Sequence, residues 1–378
     1  MTLVEFVPPT PHPLWKLCPQ MGITDVIVKV NPDLTGLPDP WKCETLAKIV
    51  GRLKDAGLAV VGLEGDPFDM SPIKGFGERV TGNGEREAAL AHYRELLESM
   101  GRLGIKLLCY NFMVGKGWSR TGVREGRGGA KATYFSIKVG EVSSSSRADV
   151  NHHSPPTTQD SNSPSNSNSK LQLDAEQVWA NYEHFIKAVM PTAEKCGVRM
   201  ALHPDDPCLP SLGGYARIFG SVEAYDRAYA LYPSPSNAVT FCQANFKLMM
   251  GNGEWGMGNG ERGMWNGDGV TEELVKMIRH FGNRIAFIHV RDVEGTKEDF
   301  TELFHDQGTT DHFALMRTYR ELGLDVPLRG DHVPEMSYDR EITPGETPGY
   351  FTLGRLFANG YLKALLNESQ GTDYTKPL

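Results

Sequence analysis

The chain has 378 residues, 40% of them hydrophobic and 23% charged, with 39 basic against 47 acidic side chains for a net charge of −8. That composition belongs to a globular protein rather than a disordered or fibrous one. The absence of 18 consecutive apolar residues excludes a transmembrane helix, and the lack of a basic stripe argues against nucleic acid as partner.

In chain order, eight short apolar runs read as strands: Leu3–Val7, Asp25–Val30, Leu58–Leu63, Ile105–Asn111, Val198–His203, Ala238–Cys242, Ile285–Val290 and Val326–Arg329. Several are almost unbroken Val, Ile and Leu, as strands covered on both faces should be. Amphipathic stretches lie between them. Glu85–Leu103 is one, and Ala175–Cys196 is another, with Val178, Tyr182, Phe185, Ile186 and Val189 at helical spacing. Strands alternating with helices indicate βαβ units and a parallel sheet, and eight of them indicate a single α/β domain, a (β/α)8 TIM barrel spanning the chain. An open doubly wound sheet is the competing architecture, but no GxGxxG follows an early strand.

Two long insertions interrupt the pattern. Residues 141–170 hold ten serines and three prolines with almost no large apolar side chain, a composition expected to stay disordered. Arg124–Ala132 is basic and Gly-rich and reads as an extension of that insertion. Residues 251–269, Gly-rich with two tryptophans, read as a loop able to serve as a lid. The six cysteines (Cys18, Cys43, Cys109, Cys196, Cys208, Cys242) are scattered without a CxxC pair. Scattered thiols and no visible secretory signal imply a reduced, cytoplasmic protein.

A barrel places its chemistry at the C-terminal ends of its strands. The fifth strand ends in His203 (within His203-Pro204-Asp205-Asp206-Pro207), the sixth in Cys242, the seventh carries His289, and the eighth runs into Asp331-His332. Four consecutive strands thus deliver one metal-competent side chain each to one rim. A thiolate argues against Mg²⁺ and Ca²⁺. Four protein ligands would close a tetrahedral zinc site, so catalysis calls for an ion that expands its coordination, such as Mn²⁺ or Fe²⁺. Asp205 and Asp206 suit substrate contact or helix capping equally.

The strings Tyr110-Asn111-Phe112-Met113, Trp118-Ser119-Arg120-Thr121, His203–Pro207, Thr240-Phe241-Cys242 and Gly349-Tyr350 followed by Gly354-Arg355 resemble the D-mannonate dehydratase family. The resemblance covers most of the chain outside the insertions. It implies a xylose-isomerase-like TIM barrel that uses Mn²⁺ or Fe²⁺ to convert D-mannonate, a small sugar acid, to 2-keto-3-deoxygluconate. It implies His203, Cys242, His289 and Asp331 as metal ligands and His332 and Tyr350 as the acid/base pair. His332 then suits the proton donor to the departing C3 hydroxyl, and Tyr350 either a donor or a base. Asn111, Arg291 and Asp292 are candidates for substrate hydroxyls, and Arg329 for the carboxylate. The resemblance also implies a homo-oligomer, for which the sequence has no heptad or other association signal.

Around the ligands the chain departs from the family pattern. Val333-Pro334 stands where Gly-His is usual, Gly330 replaces a Pro, and Gln243-Ala244-Asn245-Phe246 replaces a Gly-containing turn. Lys29 ends the second strand where the family has a more histidine-like end. Kept ligands with altered surroundings imply a dehydratase with altered substrate recognition. A metal-dependent sugar isomerase or epimerase and a non-catalytic metal-binding paralogue are the alternatives.

Overall fold

All eight expected strands are present in the computed structural model, which describes residues 1–77, 83–140, 172–250 and 267–369. The first, β1, is Thr2–Leu3 and Glu5–Val7 on either side of Val4. It is followed by β2 (Asp25–Val28), β3 (Ala59–Glu64) and β4 (Leu107–Tyr110). A hairpin of β5 (Gly122–Glu125) and β6 (Lys131–Ser136) intervenes before β7 (Arg199–Leu202), β8 (Asn237–Cys242) and β9 (Ile285–Val290). A second hairpin, β10 (Val293–Thr296) and β11 (Asp299–Glu302), precedes β12 (Pro327–Gly330). The order β1-β2-β3-β4-β7-β8-β9-β12 is parallel throughout, and β12 pairs back onto Thr2 and Leu3 of β1, which closes the ring.

Alternation along each strand splits the core in two. Val26 and Val28 of β2, Leu108 of β4 and Ile288 of β9 face outward into the large core that the strands share with the helices. Val4, Ile27, Leu107, Cys109, Ala201, Ala238 and Phe287 face inward and fill the barrel axis. Gly62 belongs to that inner layer because nothing larger fits: a β-carbon there would stand 2.8 Å from Ile27 Cδ1. Of the covering helices, Ala175–Cys196 is bounded most sharply. Asp174 and Gln177 form a reciprocal capping box at its start, Gly197 ends it in the left-handed region, and the five apolar residues that mark its face are all buried.

Two expectations change. Arg124–Ala132 does not extend an insertion; it is most of the β5–β6 hairpin, whose glycines, Gly128 (φ 64°) and Gly129 (φ 82°), supply the turn. Arg124 pairs with Asp299 at 2.9 Å and lies 3.9 Å over the Tyr134 ring, so β6 joins β11 and the two hairpins form one antiparallel four-stranded sheet. The loop expected over 251–269 stops earlier, since the helix Gly267–Phe281 begins inside it. The rest of that stretch and the serine-rich segment 141–170 lie outside the described residues. Among the described residues no helix is long and apolar enough to cross a membrane.

Candidate metal centre

The inward parity that fills the barrel axis continues to the C-terminal rim. Two residues beyond Cys109 is Asn111, two beyond Ala201 is His203, two beyond Thr240 is Cys242, two beyond Phe287 is His289 and two beyond Arg329 is Asp331. Each strand therefore carries its last inward side chain into one space. Ligand atoms of His203, Cys242, His289 and Asp331 all lie within 4.8 Å of one another, a set capable of coordinating a divalent metal.

The donors are prepared for that task. His203 donates its Nδ1–H to the Pro204 carbonyl oxygen at 2.8 Å, which fixes the ring beside the cluster. The Cys242 thiol is brought down to about 6: burial opposes ionisation, and the neighbouring His203 and His289 imidazoles and the Arg291 charge outweigh it. Arg329 and the two histidines His332 and His289 overcome burial at Asp331 and hold it well below the carboxylate range. His289 is fully buried, yet neither ring nitrogen has a hydrogen-bond partner among the described residues. Carboxylates flank it at 3.6 Å on both sides, Asp331 on Nδ1 and Glu64 on Nε2. A buried imidazole left unpaired between anions fits a site completed by a cation.

His332 and Tyr350 adjoin this centre. Their ring centroids are 5.1 Å apart, and the His332 ring lies face to face with Trp118 at 5.0 Å and 6°. His332 adopts a left-handed φ of 44°, and its Nδ1 faces Gly349, where a β-carbon would come within 3.2 Å. Burial and the charges of Arg291 and Arg120 keep the imidazole neutral, its pKa well below the usual value against the opposing pull of Asp331. Burial and the Asp331 charge push the Tyr350 phenol well up.

The residues expected at the substrate are otherwise committed, Asn111 excepted in part. Asn111 accepts from Lys74 Nζ at 3.2 Å and stays partly open to the site. Arg291 is turned into the protein, with Nε and Nη2 on Glu302 and Nη1 on Asp206 and Asn245 at 2.6–2.9 Å. Asp292 is buried under Lys247 and accepts from the Val293 and Thr310 amides. Arg329 grips Glu64 bidentately at 2.6 and 3.1 Å, which leaves no fork for a substrate carboxylate. For the two arginines a carboxylate takes the cation, and for Asp292 a lysine takes the anion.

Three further features lie around the centre. Glu64, at the end of β3, lies against His289 and Arg329 and is brought down to about 2: burial raises it, while Arg329 and then His289 lower it further. Arg120, Asp206, Arg291 and Glu302 form a buried quartet, in which Arg120 meets Asp206 at 2.7 Å and Glu302 at 2.6 Å. Of Asp205 and Asp206, then, the second is a scaffold group, and the first accepts the Phe219 amide at 2.8 Å. Trp118, the third feature, joins the quartet to the centre, with the Arg120 guanidinium 4.9 Å over its ring.

Residues 16–375 match the family described as D-mannonate dehydratase (UxuA). A mannonate dehydratase of Streptococcus suis is 30% identical over 339 residues, covering 86% of this chain and 83% of the relative. Another, of Brachyspira hyodysenteriae, is 27% identical over 369 residues, covering 91% and 92%. The crystal structure of mannonate dehydratase from Streptococcus suis serotype 2 superposes with a TM-score of 0.73 over 100% of this chain and 98% of that one, at 23% identity. At that identity the superposition speaks for the fold.

Proposed function

The chain belongs to the D-mannonate dehydratase family, and from that membership we propose that it dehydrates D-mannonate or a related aldonate to the 2-keto-3-deoxy acid at this centre. The observation that carries the reading is the convergence of His203, Cys242, His289 and Asp331 around an unpaired buried imidazole. Two nitrogens, a thiolate and a carboxylate suit a first-row transition ion that can add ligands, which favours Mn²⁺ or Fe²⁺. Bound there, such an ion supplies Lewis acidity to the substrate's acid end.

The chain's own side chains move the protons. His332, neutral and clamped on Trp118, takes the proton from C2. Tyr350 keeps its phenolic proton until it passes to the C3 hydroxyl. The C2–H electron pair becomes the C2–C3 double bond, the C3–O bond breaks, water leaves, and the enol rearranges to the ketone. This assignment reverses the donor role that the resemblance suggests for His332. Arg329 and Arg291, spent on Glu64, Asp206 and Glu302, shape the wall rather than touch the acid.

Metal analysis and a sugar-acid panel scored for keto-deoxy product test the reading. We expect a stoichiometric divalent ion, loss of water from an aldonate, and a Tyr350→Phe variant about 10²–10⁴-fold slower with its metal retained. A product of unchanged mass would point to an isomerase, and metal-loaded protein inert on every acid would overturn the lyase.

A further inference from the structure

One inward-facing cation on the rim takes no part in this chemistry. Ile27 of β2 lies in the barrel axis, while Val26, Val28 and Val30 pack outward. Lys29, two residues beyond Ile27, therefore projects inward at the same end of the barrel as His203 and Cys242. Its stem runs along Gly65, just after β3, where a β-carbon would stand 3.4 Å from Lys29 Cε. Gly65 has a φ of 88°, a backbone conformation that favours glycine, and the lysine stem passes it in van der Waals contact.

Lys29 makes no hydrogen bond or ion pair among the described residues. The neighbouring cations are all taken: Lys74 by Asp66 at 2.7 Å, Arg329 by Glu64, Lys247 by Asp292, and Arg120 and Arg291 by Asp206 and Glu302. In the eight-membered ring, β2 stands four strands from β8, so Lys29 faces Cys242 from directly across the mouth. An eight-stranded barrel is only wide enough there for side chains or one small ligand. A six-carbon acid held at the metal ligands by one end presents its other end to this ammonium. A full charge held inward without a counter-ion suits an anion better than a hydroxyl.

We infer that Lys29 binds an anionic group at the substrate end remote from the metal ligands, so that the preferred substrates are dianionic sugar acids. The inference rests on the proposed dehydratase reading, which assigns the first acid group to the metal end. The second anionic group is a terminal carboxylate or a phosphate.

The test uses the full chain loaded with Mn²⁺ and three acids: D-mannonate, its 6-carboxylate analogue and its 6-phosphorylated analogue. We expect a KM for one dianionic acid about 10-fold or more below that of D-mannonate, as a charged hydrogen bond supplies. Lys29→Gln should bring that ratio to about 1, and Lys29→Arg should restore it. Which dianionic acid wins distinguishes carboxylate from phosphate. A wild-type ratio near 1, or a ratio unchanged in Lys29→Gln because every acid weakens equally, overturns the inference. If no acid is dehydrated, the dehydratase reading fails separately, and thermal shifts of the Mn²⁺-loaded proteins with the same acids still decide. A larger shift with a dianionic acid, lost in Lys29→Gln, supports Lys29 as an anion site; equal shifts in both proteins overturn it.

Discussion

Two buried polar clusters share the mouth of this barrel, and they differ in how completely they are paired. In the quartet of Arg120, Asp206, Arg291 and Glu302 every guanidinium nitrogen meets a carboxylate, amide or carbonyl oxygen. In the cluster of His203, Cys242, His289 and Asp331, the most deeply buried imidazole has no hydrogen bond to either nitrogen among the described residues. Leaving a buried polar group unpaired costs about 1–3 kcal/mol, so a fold retains one where something else completes it. Complete pairing suits a scaffold, whereas nitrogens without hydrogen bonds, set beside a thiol and carboxylates, suit a metal.

The largest expected effect separates the two directly. Arg291→Met leaves Asp206 and Glu302 to share Arg120 alone, and should destabilise the fold by about 3–5 kcal/mol in urea unfolding. Added Mn²⁺ should not close that gap. His289→Asn should behave oppositely: a modest loss without metal, and loss of the roughly 2.7 kcal/mol that a metal at a hundredfold excess over its Kd gives the wild type. Equal metal stabilisation in both proteins would remove His289 from the ligand set. An Arg291→Met protein as stable as wild type would remove the quartet from the scaffold.

The same contrast holds between two histidines. His305 is as buried as His289 but hydrogen-bonds the Val290 carbonyl oxygen at 2.8 Å, and burial, with His312 nearby, brings it down to about 4. Its folded pKa lies below the unfolded value of about 6.5. Neutral His305 therefore contributes stability that is complete above pH 6.5 and is lost as pH falls from there to about 4. The difference corresponds to about 3 kcal/mol. Unfolding free energies should fall across that window in the wild type, and His305→Gln should flatten that part of the profile. An unchanged slope in the variant would show that another group carries the acid sensitivity.

What could be read in advance follows the same line. The eight strands were legible because both their faces are covered, which writes Val, Ile and Leu into consecutive positions. His203, Cys242, His289 and Asp331 were legible because strand ends and inward parity are local properties. For Arg291, Asp292 and Arg329 the sequence shows a charged strand end but not its distant counter-ion: Glu64 is 265 residues from Arg329, Asp206 is 85 from Arg291, and Lys247 is 45 from Asp292. The β5–β6 hairpin reads as loop because its turn glycines outweigh the short β5 and because β11, the outer partner of β6, lies far down the chain.

The smallest expected effect concerns the residue that couples the clusters. Trp118 lies face to face with His332 and under Arg120, so the scaffold reaches the imidazole proposed to move the proton through one aromatic plane. Trp118→Leu removes that plane and should lower kcat by about 10-fold, since a ring contact of this kind is worth about 0.5–1.5 kcal/mol. KM should move less, because the imidazole is misaligned while the acid is still bound. Trp118→Phe keeps a plane against His332 and should recover most of the rate. If Phe falls as far as Leu, the indole Nε1–H, buried and without a partner among the described residues, is the operative group rather than the ring. If both variants lose stability at unchanged kcat, Trp118 belongs wholly to the scaffold, and the clusters communicate only through Arg291 beside Cys242.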